Sequence, residues 1–544
     1  MPARCTLIVA VACFALPSAA RAADPLHTRI DKHIDTGFGD LKKHAAPRAG
    51  DEEFLRRVYL DLTGTTPATA ELYRFLADSA GDKRTKLIDE LLAGPGYARR
   101  MAWHFDVMLM ERRPDSKVPR PAWEAYLRTA FADNKPYNAL VREVLASDGS
   151  DPKVRAAAKF LLDRDLEPHL VTRDIARVFL GRNVQCAQCH DHPTISDYKQ
   201  ADYYGIQAYL SRSFLFPNAQ APTAVIAEKA EGDVTFMSVF DKNKTLNSTR
   251  PRMPGGKPAD EPKVEKGKEY KVAPAANVKP EPAYSRRARL ADAVTGADNP
   301  AFARNAVNRV WALMMGRGLV HPLDMDHGDN PPSHPELLDE LAAAFVSHGY
   351  DLKWLVREIA LSDAYQRSSE TPAGLDDPPA EKYLVAVLKP LTPEQFAYAV
   401  MQATGHTDAE RAALSKLGPK ATEEALDARL AARLAPFRNV LGRGGEAGAD
   451  TFSSTLDQTL FLKYGGAVRG LLPPRAGNLA DRLGKITNPD AAADELFAAV
   501  LARRPTADER KDVADALRGT KDRQTTINEL VWALVASAEF RFNH

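Results

Sequence analysis

The sequence predicts a mainly α-helical protein with two helical domains and a small β-containing, irregular insertion between them. Three observations support this fold class. Apolar residues recur at helical spacing on both sides of the insertion, and helix start and stop signals punctuate both regions. Between them the composition changes, first to β-branched and aromatic residues and then to a stretch rich in Lys, Pro and Gly.

Composition limits the classes of function. The 544 residues are 44% hydrophobic and 27% charged, which is typical of a globular protein. The 73 basic and 72 acidic residues give a formal net charge of +1. Because such a balance provides no strong field for a polyanion, we expect no nucleic-acid partner.

Residues 1–22 are predicted to form a signal peptide. A short basic start precedes an apolar run, and the small residues at Ala20 and Ala22 suit cleavage after Ala22. We therefore expect an exported protein, periplasmic or secreted. No later run of 18 apolar residues is present, so no membrane span is expected. Of the four cysteines, the mature chain would keep only Cys186 and Cys189.

The N-terminal helical domain is assigned to residues 23–212. Apolar residues at helical spacing over 54–62 predict a helix that ends at Gly64, and Thr66 is predicted to N-cap the next one. Further helices follow, and the last one before Cys186 is amphipathic. It places four apolar residues on one face: Val171, Ile175, Val178 and Phe179.

The insertion is assigned to residues 213–285, with one or two short strands followed by a Pro- and Lys-rich linker. The C-terminal helical domain is assigned to residues 286–544. Three helix starts in it are predicted from capping boxes: Ser333 with Glu336, Thr392 with Gln395, and Thr506 with Glu509.

Cys186, Cys189 and His190 form a C-x-x-C-H motif, which is typical of covalent c-type haem attachment. Two cysteines three apart can bond the two vinyl groups of one porphyrin edge, and the adjacent histidine can bind the iron. Export supports this interpretation, because haem is attached covalently outside the cytoplasm. We therefore predict haem c, with His190 as the ligand of the haem iron.

Three alternatives stay open for this motif. The two cysteines could form a disulfide, although no βαβ pattern surrounds them. Zinc could be bound by Cys186, Cys189, His190 and His192, although adjacent ligands depart from the usual zinc spacing. The motif could also be a chance occurrence in a long chain.

Other residues are candidates for a haem environment. His104, Met108 and Met110 lie on one predicted helix and could supply a sixth iron ligand, although such side chains more often belong to a core. Arg177 and Arg182 could pair with haem propionates, or could simply be solvent-exposed. For the three side chains on that helix, the interpretation as core residues is the stronger one.

A second polar cluster lies between residues 321 and 334. It contains His321, Asp324, Asp326, His327, Asp329 and His334. A calcium loop is not predicted, because Glu336 falls one position too late. We favour an inter-helix loop whose carboxylates cap helix ends. A hydrolase site in this loop is a weaker hypothesis, and no common hydrolase or nucleotide-binding motif is present, so an enzymatic activity is left uncertain.

Long ordered motifs in the chain resemble the planctomycete cytochrome-c-type proteins. RVFLGRNVQCAQCHDHP and the helices before it resemble their cytochrome-like domain. NPAFARNAVNRVWALMMGRGLVHPLDMDHGDNPPSHPELLDELAAAF and LVWALVASAEFRFNH resemble the planctomycete-specific C-terminal domain of unknown function. The resemblance implies a haem on Cys186, Cys189 and His190. It implies no substrate or physiological role.

The leading hypothesis is an exported, helical monohaem c-type protein in electron transfer or redox chemistry, with an unidentified redox partner. The alternative is an exported binding or scaffold protein without haem. In that alternative the cysteines form a disulfide or metal clip, and the helical domains present a surface to a polysaccharide or another partner.

Overall fold

The described part of the chain is dominated by helices. The computed structural model describes residues 24–217, 224–442 and 455–544, and the predicted signal peptide lies outside the described residues. The N-terminal helical half consists of α1 Leu26–Gly37, α2 Asp51–Thr63, α3 Thr69–Ala77, α4 Lys83–Ala93, α5 Pro95–Met110, α6 Arg120–Ala132, α7 Tyr137–Ala146, α8 Lys159–Leu162, α9 Pro168–Leu180 and α10 Gln200–Leu210.

Strands concentrate between the helical halves, in small two-stranded antiparallel sheets. Three hairpins pair β1 with β2, β3 with β4, and β5 with β6. Their bounds are β1 Ser213–Phe216, β2 Val225–Glu228, β3 Val234–Phe236, β4 Asn247–Thr249, β5 Tyr270–Val272 and β6 Glu281–Pro282. The predicted fold class, mainly helical with a strand-containing region between the helical halves, is therefore confirmed.

The C-terminal half is again helical. It begins with α11 Arg286–Thr295, α12 Pro300–Met315, α13 Pro335–Ser347, α14 Leu352–Leu361, β7 Lys389–Pro390, α15 Pro393–Ala403, α16 His406–Ser415, α17 Glu423–Ala431 and α18 Leu434–Leu441. It continues with α19 Leu456–Tyr464, α20 Gly466–Arg469, α21 Leu479–Lys485, α22 Pro489–Leu501, α23 Ala507–Gly519, α24 Arg523–Val535, α25 Ala538–Arg541 and β8 Phe542–Asn543, which pairs with β7. No helix in the described ranges is long and apolar enough to cross a membrane.

Several helix ends follow local sequence signals. Gly64 ends α2 in the left-handed conformation, and a Cβ there would come within 2.7 Å of the Trp103 ring. The predicted capping boxes at Thr392 and Thr506 are confirmed. Two start predictions are wrong. Helix α3 begins at Thr69 rather than after Thr66. The backbone amide of Ala68, the residue just before the helix, donates to the Glu71 carboxylate at 2.7 Å.

The predicted capping box at Ser333 is also wrong. Helix α13 begins two residues later with Pro335 at its first position, where the missing N–H costs nothing. The Ser333 amide donates instead to the Leu319 carbonyl at 2.8 Å, so it is already used by the preceding loop.

Two hydrophobic cores organise the packing. The larger core combines helices from both halves: α7 packs against α11, and α9 packs against α12. The smaller core is formed mainly by α15 to α24 and includes Trp103 from α5, whose ring lies 4.8 Å from that of Tyr398. The two halves are therefore joined through a shared core.

Three histidines that are buried or partly buried are expected to make the fold sensitive to acid. Burial, with Arg100 nearby, lowers the pKa of His104 to about 3. Burial also lowers the pKa of His334 and of His544 to about 4, with Lys382 adding to the effect at His334. The unfolded chain binds protons at these imidazoles near pH 6.5 and the folded chain does not, so the free energy of unfolding falls as the pH drops below about 6.5.

Each of these imidazoles should contribute about 1.4 kcal/mol per pH unit between the unfolded and folded pKa values. Urea unfolding at pH 7.5, 6.5, 5.5 and 4.5 measures this slope. His104→Gln and His334→Gln should each flatten it, whereas His348→Gln at the surface serves as the control. A free energy of unfolding that stays constant over this range would contradict the prediction.

Candidate cofactor-attachment site

The C-x-x-C-H motif lies in an exposed turn that follows α9. The predicted amphipathic helix is α9, and Val171, Ile175, Val178 and Phe179 are buried as its apolar pattern requires. A short 3-10 turn, Gln185–Gln188, then carries Cys186, and the Cys189 amide donates to the Cys186 carbonyl at 3.3 Å. Both cysteines are exposed free thiols, so both sulfur atoms are accessible to a cofactor.

A neighbouring backbone carbonyl selects one tautomer of the neutral His190 imidazole. Its Nδ1 lies 2.6 Å from the Asp191 carbonyl oxygen. A carbonyl can only accept a hydrogen bond, so in the neutral ring Nδ1 carries the proton and Nε2 keeps its lone pair. Metal-binding histidines commonly have this arrangement, in which one ring nitrogen donates to a carbonyl and the other binds the metal.

His192 has the opposite arrangement. Its Nδ1 accepts a hydrogen bond from the Ile195 amide at 2.9 Å, so in the neutral ring the proton is on Nε2. The His192 ring caps the turn over residues 192–195, and the neutral ring offers no free lone pair to a metal. Within the described ranges no group of three or more His, Cys, Asp and Glu side chains is arranged to hold a metal ion.

Residues of helix α10 donate hydrogen bonds to the turn that carries the motif. The side-chain amide of Gln200, a residue only 4% exposed, donates to the Gln188 carbonyl at 3.3 Å and to the Met237 carbonyl at 3.2 Å. Its backbone N–H donates to Asp191 Oδ1 at 2.8 Å. The Tyr204 hydroxyl also donates to the Gln188 carbonyl, at 3.0 Å. The positions on both sides of Cys189 and His190 are therefore attached to α10.

An apolar segment after β3 borders the motif. The Val239 amide donates to the Cys189 carbonyl at 3.0 Å, and the Phe240 ring lies 4.6 Å from the His190 ring. Met237, Val239 and Phe240 are 42%, 65% and 73% exposed, so apolar surface lies beside the thiols. Sequence reasoning placed this segment in the insertion and did not connect it with the motif, because the contact is tertiary.

The candidates for a sixth ligand lie on α5, which packs against α2, α4 and α6. Met110 is fully buried and its sulfur accepts from Arg164 at 3.6 Å, while Met108 is partly buried against the larger core. His104 is the third candidate on this helix, with the lowered pKa described above. The Met110 environment is that of a core residue.

Of the two arginines considered for propionates, Arg177 has carboxylate partners within the protein, whereas the contact described for Arg182 is made by its backbone. Arg177 pairs with Glu111 and lies 3.4 Å from an oxygen of Asp174. The backbone of Arg182 forms an antiparallel bridge with Met325. Arg177 is thus engaged within the protein, and Arg182 lies where the motif meets the second polar cluster.

Hydrogen bonds attach the second polar cluster to the chain on both sides of the C-x-x-C-H motif. The Asn183 amide donates to the Asp324 carbonyl at 2.7 Å, and the Asp326 amide donates to the Gly181 carbonyl at 2.9 Å. The Gly328 amide donates to Asp197 Oδ2 at 2.7 Å. The expected helix capping by these carboxylates is wrong for α13, whose N-terminal residue has no side-chain cap. The loop instead attaches the C-terminal half to the turn that follows α9.

Two family models match the chain. Residues 29–214, which include the motif, match PSCyt2, described as a protein of unknown function (DUF1549). Residues 286–438 match PSD1, also described as a protein of unknown function (DUF1553). The chain therefore carries two such domains in the order that the resemblance implied. No curated protein and no solved structure matches it.

Proposed function

We propose that the chain is an exported c-type haem protein in electron transfer or redox chemistry. Haem would be attached covalently through Cys186 and Cys189, with His190 Nε2 as an axial ligand of the iron. The observation that carries this proposal is the hydrogen bond from His190 Nδ1 to the Asp191 carbonyl, because it leaves Nε2 available beside two exposed thiols.

The surroundings of the motif fit a porphyrin. When bound, haem supplies one-electron iron chemistry, and its large apolar faces require apolar contacts. The exposed side chains of Met237, Val239 and Phe240 offer such contacts next to the cysteines. Cys186 and Cys189 would attach the haem, and the Asp191 carbonyl would orient the His190 imidazole. The apolar segment of residues 237–240 would cover part of the porphyrin. Zinc is a weaker candidate, because His192, one of its four proposed ligands, uses Nδ1 to cap a turn.

Two features of the sequence support the same function. The signal-peptide pattern at residues 1–22 predicts export to a compartment where haem is attached covalently. The resemblance to planctomycete cytochrome-c-type proteins adds the same cofactor.

The test is whether haem stays attached after denaturation. The full chain is exported from a host that matures c-type cytochromes, denatured, separated on a gel and stained for haem peroxidase activity, and a pyridine haemochrome spectrum is recorded. We expect about one haem per chain, as the single C-x-x-C-H motif implies. Replacing Cys186 and Cys189 with serine should abolish the stain.

Two histidine variants give a matched comparison. His190→Ala should remove the axial ligand and change the spin state of the iron. His192→Asn, whose side-chain oxygen can still accept from the Ile195 amide, should leave the spectrum unchanged. Absence of retained haem, in a host that matures a control cytochrome, would refute the proposal.

A further inference from the structure

Helix α19 has two unlike faces. Leu462 is buried in the smaller core, and the Trp532 indole N–H donates to its carbonyl at 2.8 Å, so this face is attached to the rest of the protein. On the opposite face Leu456, Leu460 and Tyr464 are 71%, 44% and 68% exposed. Because these three side chains are spaced four residues apart, they form one apolar strip, called here the α19 stripe. Contiguous exposed apolar side chains are typical of an interaction surface.

A shallow groove continues the α19 stripe towards α18. It has a volume of about 380 Å³, and its lining includes Val440 of α18 together with Leu460, Phe461 and Tyr464 of α19. Phe461 is only partly exposed, because it also packs against the smaller core, where its ring lies 5.3 Å from that of Phe437. The stripe and the groove therefore offer a partner both projecting apolar side chains and a recess that can receive them.

The charges of α19 favour a second copy of the same chain as that partner. Asp457 lies in the first turn of the helix and Lys463 in the last, and both are exposed. Within the described ranges no ion pair uses either charge. When two such helices meet in antiparallel orientation, the acidic end of each lies beside the basic end of the other. A twofold-symmetric contact requires such self-complementarity, since the same patch supplies both sides.

We propose that α19 is a dimerisation surface on which two copies of the chain pair in antiparallel orientation. The α19 stripe of each copy packs against that of the other, and Asp457 of each copy lies near Lys463 of the other. The formal net charge of +1 leaves little repulsion between two copies. A helix of 9 residues provides a small interface, so the dimer is reversible, with a dissociation constant roughly in the micromolar range. This inference does not depend on haem.

The oligomeric state of the exported full chain tests the apolar contact. Sedimentation velocity at increasing concentration should show a shift from monomer to dimer. Leu460→Glu places a charge in the middle of the α19 stripe and should weaken dimerisation by about tenfold or more. Leu417→Glu is the matched control, because Leu417 is 49% exposed and lies outside α19, so the dissociation constant should stay at the wild-type value.

Exchanging charges tests the antiparallel orientation. Asp457→Lys gives each helix two positive ends and Lys463→Asp gives it two negative ends, so each single variant should dimerise less well than the wild type. The double variant restores opposite ends and should recover dimerisation. In a parallel pair the wild type would already place like charges together, and neither single variant would be weaker.

A mixture of the two single variants separates a lost contact from a lost fold. Both substitutions oppose the helix dipole, so each could also destabilise α19. The mixture should nevertheless form a mixed dimer, because a helix with two positive ends then meets a helix with two negative ends. A misfolded helix would not give this gain, and the gain should diminish as the salt concentration rises.

Three results would overturn the proposal. The first is a wild-type chain that stays monomeric at every concentration. The second is a dimer that Leu460→Glu leaves intact, which would place the contact elsewhere. The third is a monomeric chain that binds vesicles of phosphatidylglycerol and phosphatidylethanolamine and loses this binding in Leu460→Glu, which would assign the α19 stripe to a lipid surface.

Discussion

Replacing Glu394 with leucine is expected to lower the free energy of unfolding by about 3–5 kcal/mol, the usual cost of removing one member of a buried ion pair. Glu394 is 2% exposed on α15. Its two oxygens accept from Arg112 at 2.8 and 3.0 Å, and Oε1 also accepts from Arg438 at 2.8 Å. Without the carboxylate, two partly buried guanidinium groups would be left together, and of these Arg438 alone would keep a carboxylate partner among the described residues, Glu124 at 2.9 Å.

The pH dependence of this variant is a second check. Burial alone would raise the pKa of Glu394, but the hydrogen bonds and charges of Arg112 and Arg438 lower it to about 2. Since the unfolded carboxyl has a pKa near 4.5, the stabilisation is complete above that pH and is lost as the pH falls towards 2. The stability difference between wild type and Glu394→Leu should therefore shrink below pH 4.5.

Urea unfolding at pH 7 measures the main effect. Glu423→Leu, at an exposed position on α17, is the control and should leave the midpoint close to the wild-type value. A Glu394→Leu protein as stable as the wild type would show that the two arginines find other partners or water.

Lys389→Met is expected to cost a similar amount, about 3–5 kcal/mol, because it leaves a buried carboxylate without its cation. Lys389 Nζ lies 2.6 and 2.7 Å from the two oxygens of Asp61 and donates to the Met314 carbonyl at 2.7 Å. The Asp61 side chain also accepts from the Tyr365 hydroxyl and from the Asn543 amide. This group connects β7 and β8 to α2.

A second substitution tests the cause. Adding Asp61→Asn to Lys389→Met removes the unpaired charge while keeping a side-chain oxygen that can accept from Tyr365, so part of the stability should return. Chemical unfolding of both single variants and the double variant gives the coupling energy. If the double variant is no more stable than Lys389→Met, the loss comes from packing rather than from the buried charge.

Local signals in the sequence were sufficient for much of the helical structure. Gly64 ends α2 and Thr392 begins α15 because each signal acts within a few residues. Ser333 failed as a cap because its amide is used by Leu319, fourteen residues earlier, and Pro335 offered an alternative start. Competition of this kind depends on tertiary structure, which a short motif does not contain.

The candidate site, too, could be predicted from the sequence only in part. Cys186, Cys189 and His190 could be selected from spacing alone. The distinction between His190 and His192 could not, because it depends on whether Nδ1 meets a carbonyl oxygen or a backbone N–H. The contacts of Gln200 and the apolar segment of residues 237–240 bring together parts of the chain whose relation is set by the packing of α10 and the β3–β4 hairpin.

The core shared by the two helical halves has an evolutionary consequence. Side chains on α7 and α9 are complementary to side chains on α11 and α12, which lie in the other matched segment. A change of volume on one side requires a compensating change on the other, since protein interiors are closely packed. Recombination that exchanged residues 29–214 or residues 286–438 alone would join surfaces that had not adapted to each other. Selection would therefore act on the two segments as one heritable unit.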